Sequence, residues 1–180
     1  MKIEEIENKI KELQAQLEEL KNPKTAYGDL VAGDTFMFKG HEFTKLRDGR
    51  AIINDYNEDF MSCPFDNIDN NYKHSLIASY IHGSRYFSLL GIVCNDLINC
   101  DVTDVELLSV EEYRENEDLI KDFECDWWTC SGSTNYCDFA MCVAAAGGFT
   151  SQGVYLSTTR GVRPAFHFAN DIKVRVVNEQ

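Results

Sequence analysis

Six apolar residues, Ile3, Ile6, Ile10, Leu13, Leu17 and Leu20, follow one another at spacings of three and four, with Glu, Lys and Gln filling most positions between them. That spacing is the a/d seam of a heptad helix, and it does not fit a strand, whose faces alternate every two residues. Pro23 disfavours helix at Asn22, so the helix ends there. Roughly three heptads are too short to be stable alone in water, so something must cover the stripe. It either folds back on its own domain or pairs with copies of itself, and the strictness of the spacing favours the second. The a positions are Ile3, Ile10 and Leu17 and the d positions Ile6, Leu13 and Leu20. Ile10 with Leu13 suits a dimer, whereas Ile3 with Ile6 leans toward higher order, and the pattern leaves both open.

Downstream the periodicity changes. After a linker over 23–32, Asp34–Phe38, His41–Leu46 and Arg50–Asp55 read as three short strands, separated by the hairpin signals Lys39-Gly40 and Asp48-Gly49. Asn54–Asn71, rich in Asn and Asp, reads as loop. Ser75–His82 reads as a two-turn helix with Leu76, Ile77, Tyr80 and Ile81 on one face and Gly83 as its C′ residue. A second short helix is expected at Ser88–Cys94. Val105–Leu108 reads as a strand, and Ser109 with Glu112 makes an S-x-x-E capping box for the helix that follows. In the last third, Met141–Ala145, Val154–Thr158, Pro164–Phe168 and Ile172–Val177 alternate like short strands joined by polar loops. The expected fold class is α+β, a head of short antiparallel strands with two or three short helices over 33–180, preceded by the coiled-coil helix at 1–22.

The chain has 180 residues, 44% of them apolar, enough for one ordinary domain to bury a core without a metal or disulfide. No apolar run is long enough to span a membrane, and the charged N-terminus does not read as a signal peptide, so neither membrane insertion nor export is expected. Acidic residues outnumber basic ones 30 to 17, which argues against direct nucleic-acid binding. The excess concentrates in one window: Asp96 to Asp126 holds twelve acids against Arg114 and Lys121. Glu111 and Glu112 suit the first turn of the capped helix, and the other acids read as a solvated face. Seven cysteines form an odd set without a secretory signal, favouring reduced thiols. Cys125, Cys130, Cys137 and Cys142 lack zinc-knuckle spacing and read as small buried hydrophobes. His74 and His82, if helical, stand about 12 Å apart along the axis, too far to share an ion. No metal and no cofactor are expected.

Several fragments together carry a resemblance: Gly33-Asp34-Thr35-Phe36, the helix from Ser75 to Gly83, Val105 to Glu112, Trp127-Trp128 within DWWTCSG, and Gly161-Val162-Arg163-Pro164-Ala165 within GVRPAFHF. In this order they resemble an uncharacterised bacterial and phage domain family with the C-type-lectin fold, in the branch that includes formylglycine-generating enzymes and the variable proteins of diversity-generating retroelements. The match spans about 33–168 and excludes the heptads. The resemblance implies a scaffold that displays loops between the tryptophan strand and the GVRP strand. Neither EPN nor QPD, the calcium-lectin tripeptides, occurs, and the last cysteine is Cys142, far from the C-terminal pair that formylglycine chemistry needs.

Two Ser/Gly/Asn-rich, aromatic-punctuated segments, 131–136 and 147–155, have the composition of adaptable binding loops. The candidate ligand-binding residues are Ser133, Thr134, Asn135, Tyr136, Phe149, Thr150, Gln152 and Tyr155, expected to form one exposed surface at an end of the head. Trp127, Trp128, Arg163 and Pro164 are assigned to the core, Arg163 bridging internal carbonyls. No spacing singles out a catalytic constellation, so no enzyme is expected. The leading expectation is a phage-type structural or adhesion protein, a virion fibre or decoration. Its partners are other virion proteins or a host surface ligand, and itself through the N-terminal helix, a trimer ahead of a dimer because threefold stems are common in phage fibres. The alternative is a small acidic inhibitor of a host defence protein that mimics nucleic acid.

Overall fold

The computed structural model describes residues 9–11, 13–14, 24–55, 62–83 and 105–177. Of the heptad helix, residues 9–11 and 13–14 are helical, with Ile10 and Leu13 exposed by 50% and 52%. Ile3, Ile6, Leu17 and Leu20 lie outside the described residues, as do the helix expected at 88–94 and the acids from Asp96 to Asp104.

Two sheets make up the head. Among the described residues twelve strands run in chain order: β1 (Lys24–Ala26), β2 (Thr35–Phe38), β3 (His41–Lys45), β4 (Ala51–Ile53), β5 (Ser62–Pro64), β6 (Val105–Leu107), β7 (Trp127–Gly132), β8 (Phe139–Val143), β9 (Phe149–Gly153), β10 (Thr159–Gly161), β11 (Pro164–Phe166) and β12 (Lys173–Val176). Seven form a sheet in the order β1-β12-β2-β3-β4-β11-β6, and five form a second in the order β5-β10-β7-β8-β9. Besides the helical residues at 9–11 and 13–14, two α-helices are described in the head, α1 (Leu76–Ile81) and α2 (Val110–Asn116). The composition is thus mainly β with few short helices, the α+β class expected. All pairs among the described residues are antiparallel except β7 with β10, which the chain reaches only after passing through the β8–β9 hairpin.

The meander β2–β3–β4 forms where the hairpin signals placed it. Lys39 at φ 51° and Gly40 at φ 89° supply the two left-handed residues that a tight two-residue turn requires. Ser109 caps α2 as the sequence predicts: its hydroxyl accepts from Glu112 N, and Glu112 accepts from Ser109 N at 2.7 Å. Glu112 also holds the guanidinium of Arg50, a nearly buried side chain that bonds Asp48 at 2.7 Å through Nε.

Other expectations are corrected. The linker region folds into the sheet: β1 pairs with β12, and Tyr27 is buried with its ring 5.5 Å from Phe36 and 5.2 Å from Phe168. The loop at 54–71 contains β5, where Pro64 is tolerated because β5 is an edge strand. In α1, Ala78 takes the buried place expected for Leu76, which is exposed, and Gly83 does not adopt the left-handed cap conformation. Its lack of a side chain matters for space instead, since a Cβ would sit 3.2 Å from the carbonyl oxygens of Ser79 and Tyr80. No strand forms at Val154–Thr158, which is a turn-containing loop; the strand in this region is β9, which ends at Gly153 and follows a turn in which Gly147 and Gly148 take φ of 85° and 77°.

The chain crosses between the sheets at Gly161–Pro164, leaving β10 and entering β11. Arg163 sits in that crossing, fully buried as expected. Its Nε donates to Ile53 O at 2.7 Å, and its terminal nitrogens donate to Lys121 O and Asn54 Oδ1 at 2.8 and 3.0 Å. The guanidinium also faces the Phe123 ring at 4.7 Å and that of Trp127 at 5.6 Å. Burial pulls its pKa down to about 10, so it stays charged at neutral pH. Trp127, Trp128 and Pro164 are also buried, as expected.

Candidate functional site

At one end of the five-stranded sheet, three loops are tied to one another by hydrogen bonds to backbone. The first follows β5. Asp66, itself nearly buried, folds it into an Asx turn: the carboxylate accepts from Ile68 N and Asp69 N, both at 3.2 Å, and from Leu76 N at the start of α1. The second is the β7–β8 connection, and Asn70 from the first loop holds it. Asn70 N donates to Cys137 O at 2.8 Å, and its side-chain amide lies within 2.8 to 3.1 Å of the carbonyl oxygens of Ser133, Tyr136 and Phe139. A Cβ at Gly132 would come within 2.7 Å of that amide, so this approach needs glycine. The third loop follows β9. Val154 N donates to Asp138 O, Val154 O accepts from Asp66 N, both at 3.0 Å, and the Tyr155 hydroxyl donates to Asp138 Oδ2 at 2.7 Å. The Asp138 carboxylate, accepting that hydrogen bond, pushes the Tyr155 phenol above its usual range.

This framework carries Ile68, Tyr136, Leu156 and Tyr155, exposed by 75%, 61%, 59% and 48%. They are half of the exposed large hydrophobic side chains among the described residues, gathered on three short loops with Thr134 and Asn135 exposed alongside. Apolar and aromatic groups carried on a hydrogen-bonded frame have little backbone conformational entropy left to lose on binding. The arrangement is suited to contact. Burial pushes the thiols of Cys63, Cys130 and Cys142 up to about 11, 12 and 12, so none is a thiolate at neutral pH. Cys142 is buried and Cys125 and Cys130 half-buried, while Cys137 is exposed in the second loop, against the reading of all four as interior. Among the described residues, no three His, Cys, Asp or Glu side chains are placed to share a metal ion.

The two segments expected to make one surface come together only in part. Ser133, Thr134, Asn135 and Tyr136 lie in the second loop and Tyr155 in the third. Phe149, Thr150 and Gln152 are instead residues of β9, an edge strand in register with β8. Phe149 pairs with Val143 at the far end of that hairpin, half-buried against Tyr113 at 5.4 Å with the Arg114 guanidinium 5.0 Å from its ring. Thr150 is next to it, and Gln152, opposite Ala140, stands nearest the loops. A strand that pairs on one side only carries the same polar composition as a loop, which is why composition alone misplaced these three. Ile68, Asn70 and Leu156 escaped the sequence reading altogether. Asp and Asn in FDNIDNN signal turns, but which carbonyls Asn70 reaches depends on strands joined much later in the chain.

Compared with known proteins, the chain matches no family model, no curated protein and no solved structure.

Proposed function

We propose that this chain is a phage-type adhesion protein, a virion fibre or decoration in which an N-terminal stem joins copies and a C-type-lectin-like head presents a contact surface to a ligand on the host. The observation that carries this reading is the patch of Ile68, Tyr136, Tyr155 and Leu156 on three mutually bonded loops. Clustered exposed apolar groups on a rigid frame mark interaction sites more often than solvated surface. Two further features support it. The exposed Ile10 and Leu13 leave part of the helical seam available to another copy. β1, which follows the stem, and β9, which leads into the third loop, are edge strands of different sheets, so the stem and the display loops attach to separate edges of the fold.

The acidic-mimic alternative has less behind it. Within the described part of the acidic window, Glu112 is bonded to Arg50, Asp118 to Arg47 and Asp126 to Ala145 N, which leaves a smaller free array than the raw charge suggests.

Tyr136→Ala and Tyr155→Ala, singly and together, test the surface. Each should weaken attachment of chain-bearing particles to host cells at least several-fold while leaving the unfolding midpoint of the purified chain nearly unchanged. Wild-type attachment by the double variant, or its unfolding, rejects the surface. Light scattering tests the stem: a trimer or dimer for the full chain and a monomer for Ile10→Lys/Leu13→Lys are expected, whereas a monomeric wild type rejects self-association.

A further inference from the structure

Away from the display loops, β1, β12 and the β2–β3 turn border an open groove of about 590 Å³, lined by Lys24, Lys39, Lys173 and Arg175 with Met37 and Ile172 among its apolar residues. Four of its described lining residues are cationic and none of them is acidic, in a chain where acids outnumber bases 30 to 17. Lys24 stands directly opposite Arg175 in the antiparallel register of β1 and β12. Lys173, two residues earlier on β12, projects from the same face. Like charges set opposite one another across a strand pair repel, and the fold gains nothing from this arrangement by itself. No described carboxylate pairs with Lys24, Lys173 or Arg175. Strand separation and the two-residue step place neighbouring cations roughly 5 to 7 Å apart. A trough of one sign concentrates anions even when the whole molecule is acidic, because fields from distant carboxylates are screened within about 8 Å at physiological salt.

We propose that this groove binds a linear anionic polysaccharide. A polymer with a charge on successive sugars can meet several of these cations at once, and its hydroxyls can use the remaining lysine and arginine donors. Single-stranded nucleic acid fits less well, because Phe38, the one aromatic residue lining the groove, is nearly buried and offers bases no stacking platform. An acidic amphipathic helix also fits less well, since Met37 and Ile172, both half-buried, are too little apolar surface for a helical stripe. The groove shares no residue with the three display loops, so the proposal stands or falls apart from that surface.

The test titrates polygalacturonate, a linear carboxylated polysaccharide, into the full chain. Neutral dextran, polyglutamate and a thymidine oligonucleotide serve as comparison probes, each at low and at physiological ionic strength. Polygalacturonate should bind, more weakly as salt rises, and dextran should not. Lys173→Glu/Arg175→Glu should reduce its affinity by about tenfold or more with an unchanged melting temperature, since both side chains are exposed. If the double variant melts early, Lys173→Gln, which removes one charge without reversal, should still weaken binding several-fold. Absence of polygalacturonate binding, undiminished binding in folded variants, or tighter binding of the oligonucleotide or of polyglutamate would overturn the assignment.

Discussion

In the seven-stranded sheet the rings of Phe36, Phe43, Phe166 and Phe168 meet at centroid separations between 5.3 and 6.2 Å, and all four are fully buried. At the loop end of the five-stranded sheet Tyr136 and Tyr155 keep their rings largely in water, although Tyr136 also lies 5.4 Å from Phe139. The same class of side chain does two jobs, and the difference lies in what holds it. The phenylalanines are held by one another, each worth about 2 to 3 kcal/mol of burial. Tyr136 is held through its backbone carbonyl by Asn70 and Tyr155 through its hydroxyl by Asp138, so both rings stay largely in water. Order without burial is what a contact surface needs, and in this molecule polar side chains supply it.

The sharpest way to break that contrast is at the buried crossing. Arg163→Met leaves Ile53 O, Lys121 O and Asn54 Oδ1 without their donor. Denaturant unfolding should record a loss of about 3 to 5 kcal/mol. A loss below about 1 kcal/mol would mean that the two sheets are joined by packing alone.

How much of this was legible beforehand divides along the same line. The β2–β3–β4 meander and the Ser109–Glu112 box were readable because their determinants lie within a few residues: left-handed turn positions at Lys39-Gly40, and a hydroxyl three residues from a glutamate. The core roles of Trp127, Trp128 and Arg163 were readable from size and type. Tyr27 was not, because its burial depends on Phe168 and on β12, at the other end of the chain. The candidate surface was half legible for a related reason. Tyr136 and Tyr155 announced themselves through Ser/Gly-rich neighbours, whereas Asn70 acts through three carbonyls more than sixty residues away. Phe149 shows the reverse error, a loop-like composition in a strand that β8 and Tyr113 define.

Asn70→Ala sharpens the comparison from the display side. It should lower stability by about 1 to 2 kcal/mol, less than the change at Arg163, yet accelerate proteolytic cleavage and hydrogen exchange selectively across Ser133–Phe139. If protection there is unchanged, the second loop is held by its own turn, and the backbone-frame argument fails for it.

The smallest effect concerns acid. Burial alone would raise the Glu112 carboxyl, but the hydrogen bonds from Ser109 and the charge of Arg50 outweigh it and hold the group below its usual value. A carboxylate depressed in the folded state stabilises above its ordinary pKa, roughly 4.3, and that contribution fades as pH falls through the lower folded value. The stability gap between wild type and Glu112→Gln should therefore be constant near neutrality and shrink below about pH 4, as read from denaturation midpoints across pH. A gap that stays constant into acid would assign the role of Glu112 to shape and hydrogen bonding alone.

The pairing of β12 between β1 and β2 also governs when the head can form. During synthesis the meander of β2, β3 and β4 emerges first, with one flank of β2 unpaired until residues 173–176 have left the ribosome. β1 waits as long, since β12 is its only strand partner among the described residues. Contacts so distant along the chain make folding slow and leave an early sheet edge open to other growing chains. A nascent chain stalled before β12 should be held by chaperones or aggregate, because only the emergence of β12 lets β1 and β2 complete their pairing.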